Sequence, residues 1–178
     1  ELVLGSGAVI RNGYKRNGSG VIAVYGKLEM TDGAVIENCE VSGTGGAVWV
    51  SSSGGFTMNG GVIRGCRADG GSAVSVDGTC SLKGGSITGN TDVSDRDCAV
   101  LLRNSGNGVL NVNGVAISGN ENSIYNEGKT VVIAGDSVLS GKIYTTSAIR
   151  AEGNGISGLR ENYIILMPDP LTTGTVVV

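Results

Sequence analysis

The 178-residue chain carries 13 Lys and Arg against 16 Asp and Glu, a net charge of −3, and no histidine. Its cations are scattered, never more than two together, which removes the basic patch that nucleic-acid binding needs, and no segment reaches the roughly 18 apolar residues of a membrane-spanning helix. Aromatic residues make up 4% and charged residues 16%, with 32 glycines. Gly and Pro together stay below the roughly 25–30% of disordered chains, and Val and Ile fill the spaces between glycines, so a packed core is expected.

Read from the start, Leu2 and Leu4 alternate with other residues, Ile10 follows a glycine-containing turn, and Ile22 and Val24 alternate again. The same three segments return as Leu28/Met30, Ile36 and Val48/Val50, then as Phe56/Met58, Ile63 and Val74/Val76. They return once more as Cys80/Leu82, Ile87 and Val100/Leu102, then as Leu110/Val112, Ile117 and a degraded Ile124/Asn126, before Val131/Ile133 and Val138 open a further copy. Period-two alternation in short runs between Gly, Asn, Ser and Asp turns indicates strands, and no helical period occurs. The repeat is too short for a propeller blade and lacks the fixed leucines of leucine-rich repeats.

These features predict an all-β fold, a right-handed parallel β-helix of about six coils of roughly 25 residues with three short strands each. Residues 1–140 hold the repeats. Residues 141–178 are expected to form a degenerate last coil and a cap or linker, because Pro168 and Pro170 cannot donate to a central ladder. Phe56, Met58, Ile63, Val74 and Val76 should be buried against their counterparts in neighbouring coils. Paired glycines should mark corners, through positive φ or close approach. Asn90 and Asn120 should share one corner, tolerating the left-handed conformation and hydrogen-bonding their copies above and below. The loop from that corner to the third strand varies most in length, so insertions and function should gather there.

The stretches GGFTMNGGVIRGC, TCSLKGGSITGN and VLNVNGVAISGN, with GGAVWV and SAVSV, resemble the repeats of the pectate-lyase-like superfamily. They are most similar to the glycine-rich repeats of secreted or wall-attached proteins of gut and other anaerobic bacteria. The ending ENYIILMPDPLTTGTVVV resembles the segment that follows such repeats. The superfamily includes lyases, hydrolases, adhesins and passive stalks, so the resemblance bears on fold more than on function. It implies that an enzyme of this kind would need clustered Asp with Lys or Arg, as a calcium-assisted lyase or a two-carboxylate hydrolase.

Without histidine, a Ser-His-Asp or Cys-His nucleophile is excluded. The dense acidic cluster is TDVSDRD, with Asp92, Asp95 and Asp97, and Asp69 occupies the equivalent loop one coil earlier. These carboxylates are a candidate Ca²⁺ site, although the glycine and terminal glutamate of an EF-hand are missing; a solvated loop is the alternative. No other cofactor is suggested. On the third strand the outward positions run Ala23, Trp49, Ser75, Leu101 and Tyr125, followed by Tyr25, Ser51, Asp77, Arg103 and Glu127. Trp49, Tyr25, Tyr125 and Arg103 are the candidate binding residues, placed to stack on a sugar or anchor a partner, unless a long loop or a further domain covers Trp49.

The four cysteines are expected as free thiols; the alternative is a disulfide between Cys39 and Cys66, which fall at equivalent positions of adjacent coils and are the one pair placed for a bridge. Cys80 should be a buried thiol in its ladder, and no C-x-x-C pairing suggests zinc. Thr residues share no single phase, which argues against an ice-binding face.

The sequence opens inside a strand-like run, so it is expected to be part of something longer, with an uncapped first coil around Leu2 to Ile10 available for association. The functional expectation is a non-catalytic segment of an extracellular bacterial surface protein, secreted or wall-attached: an adhesin-like stalk, or a face that binds a host or microbial glycan or a surface protein. The alternative is a polysaccharide lyase or glycoside hydrolase fragment acting on an acidic glycan through the Asp92–Asp97 loop.

Overall fold

A computed structural model describes residues 1–94, 96–152 and 164–166 of the chain. These residues form a parallel β-solenoid of the right-handed β-helix kind, with no helix among them. Three parallel sheets run along the tube. The first stacks seven strands from Leu2–Leu4 through Lys27–Met30, Gly55–Met58, Thr79–Leu82, Val109–Asn113 and Thr130–Ala134 to Ile149–Ala151. The second stacks six, from Val9–Arg11 to Val138–Leu139. The third stacks seven, from Ile22–Val24 to Ile164–Leu166, so the same sheets continue beyond residue 140. Pro168, Pro170 and the rest of the expected cap lie outside the described residues.

Register follows the apolar markers. Leu28, Phe56, Cys80, Leu110 and Val131 pair in line on the first face, and Ile36, Ile63, Ile87 and Ile117 do so on the second. Side chains of equal phase therefore stack at the strand spacing of about 4.8 Å and fill the tube as continuous ladders. Phe56, Met58, Ile63, Val74 and Val76 are all buried, and Cys80 is a buried free thiol among them.

The sixth marker is displaced by one residue. Leu139, not Val138, pairs with Ile117. Val138 is 47% exposed and Leu139 only 2%. Period two makes the choice absolute, because a one-residue slip sends a side chain to the opposite face.

The degraded third-face copy has a local cause. Asn126 stands in the ladder behind Leu102, above Thr145, yet it is fully buried. Its amide nitrogen donates to the Lys129 carbonyl and to the Thr145 and Ser147 hydroxyls, while its oxygen accepts the Lys129 N–H. A buried amide is tolerated because its hydrogen-bonding capacity is met.

A fourth, shorter sheet was not legible in the repeat. Tyr14–Ser19, Glu40–Thr44, Arg67–Ala68 and Thr91–Asp92 pair in parallel, so the first four coils have four strands rather than three. The corner before this sheet is built differently from the expectation. The left-handed residues are Asn12, Asn38, Gly65, Gly89 and Gly119, one place earlier than Asn90 and Asn120. Asn90 and Asn120 do, as expected, hydrogen-bond between coils. The Asn120 Oδ1 accepts both the backbone N–H and the side-chain amide of Asn90, and the Asn90 Oδ1 accepts the Cys66 N–H.

Candidate functional site

The four candidate binding residues lie on the outer side of the third face, but that side is not simply open. Ser75 and Leu101, expected to point into solvent, are fully buried, and Trp49 and Tyr125 are half-buried. The reason is the segment that leads from the fourth sheet back to the third face. In each of the first four coils it lies over the outward residue of the next coil. Gly20 rests on Trp49, Gly45 on Ser75, and Gly70 and Gly71 on Leu101. Arg96 lies over the Tyr125 ring, 5.8 Å from its centroid, in cation–π geometry.

Glycine is required at the first of these contacts. Gly20 has φ +60°, and a Cβ there would approach the Trp49 backbone nitrogen and sit 2.9 Å from the Trp49 Cβ. Gly20→Ala is therefore expected to cost about 1–3 kcal/mol and to push the covering segment off the indole. Denaturation with the sole tryptophan as fluorophore will check this, through a lower midpoint and a red-shifted native spectrum.

Beneath the cover, three coils are tied to one carboxylate. Asp77 is 4% exposed. Its Oδ2 accepts the Trp49 indole N–H at 2.8 Å and Arg103 Nη2 at 2.7 Å; its Oδ1 accepts Arg103 Nε at 3.0 Å and the Ser105 hydroxyl at 2.7 Å. Burial alone would raise this carboxyl, but donation from Arg103, Ser105 and Trp49 outweighs burial and holds it below its ordinary value. These donors favour its charged form. Arg103 also reaches Thr44, whose hydroxyl meets that of Ser19.

Tyr25 is the exposed end of this strip, at 68% exposure, with its ring edge-on to Trp49 at 5.5 Å. At the other end Tyr125 stacks on Tyr144 at 5.8 Å, and Glu127 holds both Arg96 and the Asn104 N–H. Asp77, which carried no assigned role in the sequence reading, joins Trp49 to Arg103, and Tyr25 meets this network through the Trp49 ring. Tyr125 sits further along the same face. Leu101, a large apolar residue in an outward column, was the signal that this column is covered.

The described carboxylates of the acidic loop bond to the loop's own backbone. Asp92 is buried and its oxygens accept the Ser94 N–H, the Ser94 hydroxyl and the Cys98 N–H. Asp97 accepts the Asp92 N–H, and burial, with Asp92 and Glu121 nearby, raises its carboxyl. Asp69 is exposed one coil away, and Asp95 lies outside the described residues. Among the described residues no three His, Cys, Asp or Glu side chains gather in metal-binding geometry.

A second concavity of about 700 Å³ runs along the first face, floored by Gly54, Gly55 and Thr57 and flanked by Lys27, Glu29 and Lys83. It is open and polar. Comparison with family models, with curated proteins and with solved structures gave no match.

Proposed function

We propose that the chain is a non-catalytic segment of an extracellular bacterial surface protein, secreted or wall-attached, whose outer third face binds a glycan or a partner's surface. The observation that carries this reading is the exposed Tyr25 ring set against Trp49, whose indole is pinned by the buried Asp77. An aromatic platform with one ring fixed stacks on a sugar or a partner side chain at reduced entropic cost. The resemblance of the repeats to those of surface proteins of anaerobic bacteria supports the same reading, as does a surface of Ser, Thr and Asn with few charges. Asp77 is neutralised by Arg103, which argues against acid catalysis on this face.

The test is retention on an array of neutral and acidic glycans, with the eluate examined for products. Binding without turnover is expected, and Tyr25→Ala should weaken it about tenfold, the equivalent of roughly 1.4 kcal/mol. Product release from a uronate polymer in the presence of calcium would favour a lyase or hydrolase instead.

A further inference from the structure

We propose that Cys39 and Cys66 form a disulfide that staples two adjacent coils when the chain folds in an oxidising compartment. The two cysteines hold equivalent positions, each immediately before a strand of the fourth sheet, where Glu40 and Arg67 pair in parallel register. The backbone bond from Arg67 N–H to the Cys39 carbonyl, at 2.8 Å, fixes the two coils at this point. Register pairing sets the Cα atoms about 4.8 Å apart, inside the roughly 4.4–6.8 Å that a disulfide spans.

The side chains are equivalently placed. Each thiol points back to the carbonyl two residues earlier, Cys39 to Glu37 and Cys66 to Arg64, both at 3.5 Å. The two rotamers are therefore copies of one another and both thiols are free in the structure, so closing the bond needs the side chains to rotate until the sulfurs face each other.

Selectivity comes from the ladders. Below Cys39 the equivalent place is Gly13 and above Cys66 it is Asn90, so the thiol pair is isolated in its column. Cys80 stacks between Phe56 and Leu110 on the first face, and Cys98 pairs with Asn122 on the third. Burial raises both of those thiols. Neither is paired in register with another cysteine.

The chemistry balances with a small-molecule disulfide, such as oxidised glutathione, as the oxidant. The Cys39 thiolate attacks it and expels one thiolate. The Cys66 thiolate then attacks the Cys39 sulfur of the mixed disulfide, expelling the second and forming the protein S–S bond. The protein gives up two electrons and two protons, and the oxidant becomes two thiols. Both sulfurs are buried in the folded coil, so oxidation takes place on the folding chain, and the closed corner then shields the bond from reductant.

The experiment refolds the chain in a glutathione redox buffer, quenches with acid, alkylates under denaturing conditions and maps the peptides by mass spectrometry. The expected result is a product lighter by two hydrogens, with Cys80 and Cys98 alkylated and the Cys39 and Cys66 peptides linked. The oxidised wild type should also unfold at a higher temperature than its reduced form, and Cys39→Ser should abolish that difference. Four alkylated cysteines after oxidative refolding, or a link through Cys80 or Cys98, would overturn the proposal. Cys66→Ser, refolded alongside, separates loss of the bridge from loss of the fold: it should show native circular dichroism and three alkylated thiols.

Discussion

Ile63→Ala is expected to destabilise the solenoid by about 2–5 kcal/mol, read from the midpoint of urea unfolding. Ile63 is fully buried and lies in the middle of its column, between Ile36 and Ile87. Truncation there empties space that neither neighbour can fill, because each is held at its own strand spacing, and the cavity cost adds to the lost transfer energy. The control is Val138→Ala, at the exposed position beside Leu139. Its effect should stay within about 0.5 kcal/mol. Equal losses from the two variants would refute the register of the second face.

The second large effect concerns Asp77. Asp77→Ala leaves the Arg103 guanidinium, the Trp49 indole N–H and the Ser105 hydroxyl without their shared acceptor. Removing one member of a buried ion pair costs about 3–5 kcal/mol. The lower end is expected here, because the Arg103 side chain keeps 28% of its surface in solvent, where water can replace part of what is lost. Combining Asp77→Ala with Arg103→Met should recover part of the loss, since no unpaired charge then remains. Measured by the same unfolding experiment, a double variant no better than the single one would show that the charge pairing is incidental.

The same carboxylate gives a pH dependence of definite sign. Its folded-state pKa is depressed, so its contribution is fully present above the unfolded carboxyl value near 3.9 and is lost as pH falls through the lower folded value. Wild type should therefore lose stability in that acidic window more steeply than Asp77→Asn, which has no proton to take up there.

The ladders were readable because interior positions of a solenoid repeat at every coil, and Ile or Val at those positions leaves a periodic trace in the chain. Where the trace thinned, reading failed by a single residue: Val138 and Leu139 are equally apolar neighbours, and only pairing with Ile117 tells them apart. The fourth sheet was hidden for a different reason. Arg67–Ala68 and Thr91–Asp92 are two-residue strands, too short to show alternation, and they are held by pairing with neighbours a coil away rather than by their own propensity.

The site was legible as a column of residues but not as an environment. Period two placed Trp49, Leu101 and Tyr125 on the outer side of the third face, yet their cover comes from the preceding coil, a non-local contact that strand alternation does not encode. Asp77 went unassigned because a lone aspartate in an outward column reads as solvent-facing. Its partners Trp49 and Arg103 lie 28 and 26 residues away in sequence.

The most direct test of the account uses Trp49, the sole tryptophan, as its own reporter. Glycans retained on the array are titrated into the protein while Trp49 fluorescence is followed, in wild type and in Tyr25→Ala. A binding face centred on this strip predicts a saturable change in the wild-type signal, a midpoint about tenfold higher in the variant, and no product in the cuvette. Retention of glycans with an unchanged Trp49 signal, and equal affinity in Tyr25→Ala, would contradict it and move the binding surface elsewhere on the solenoid.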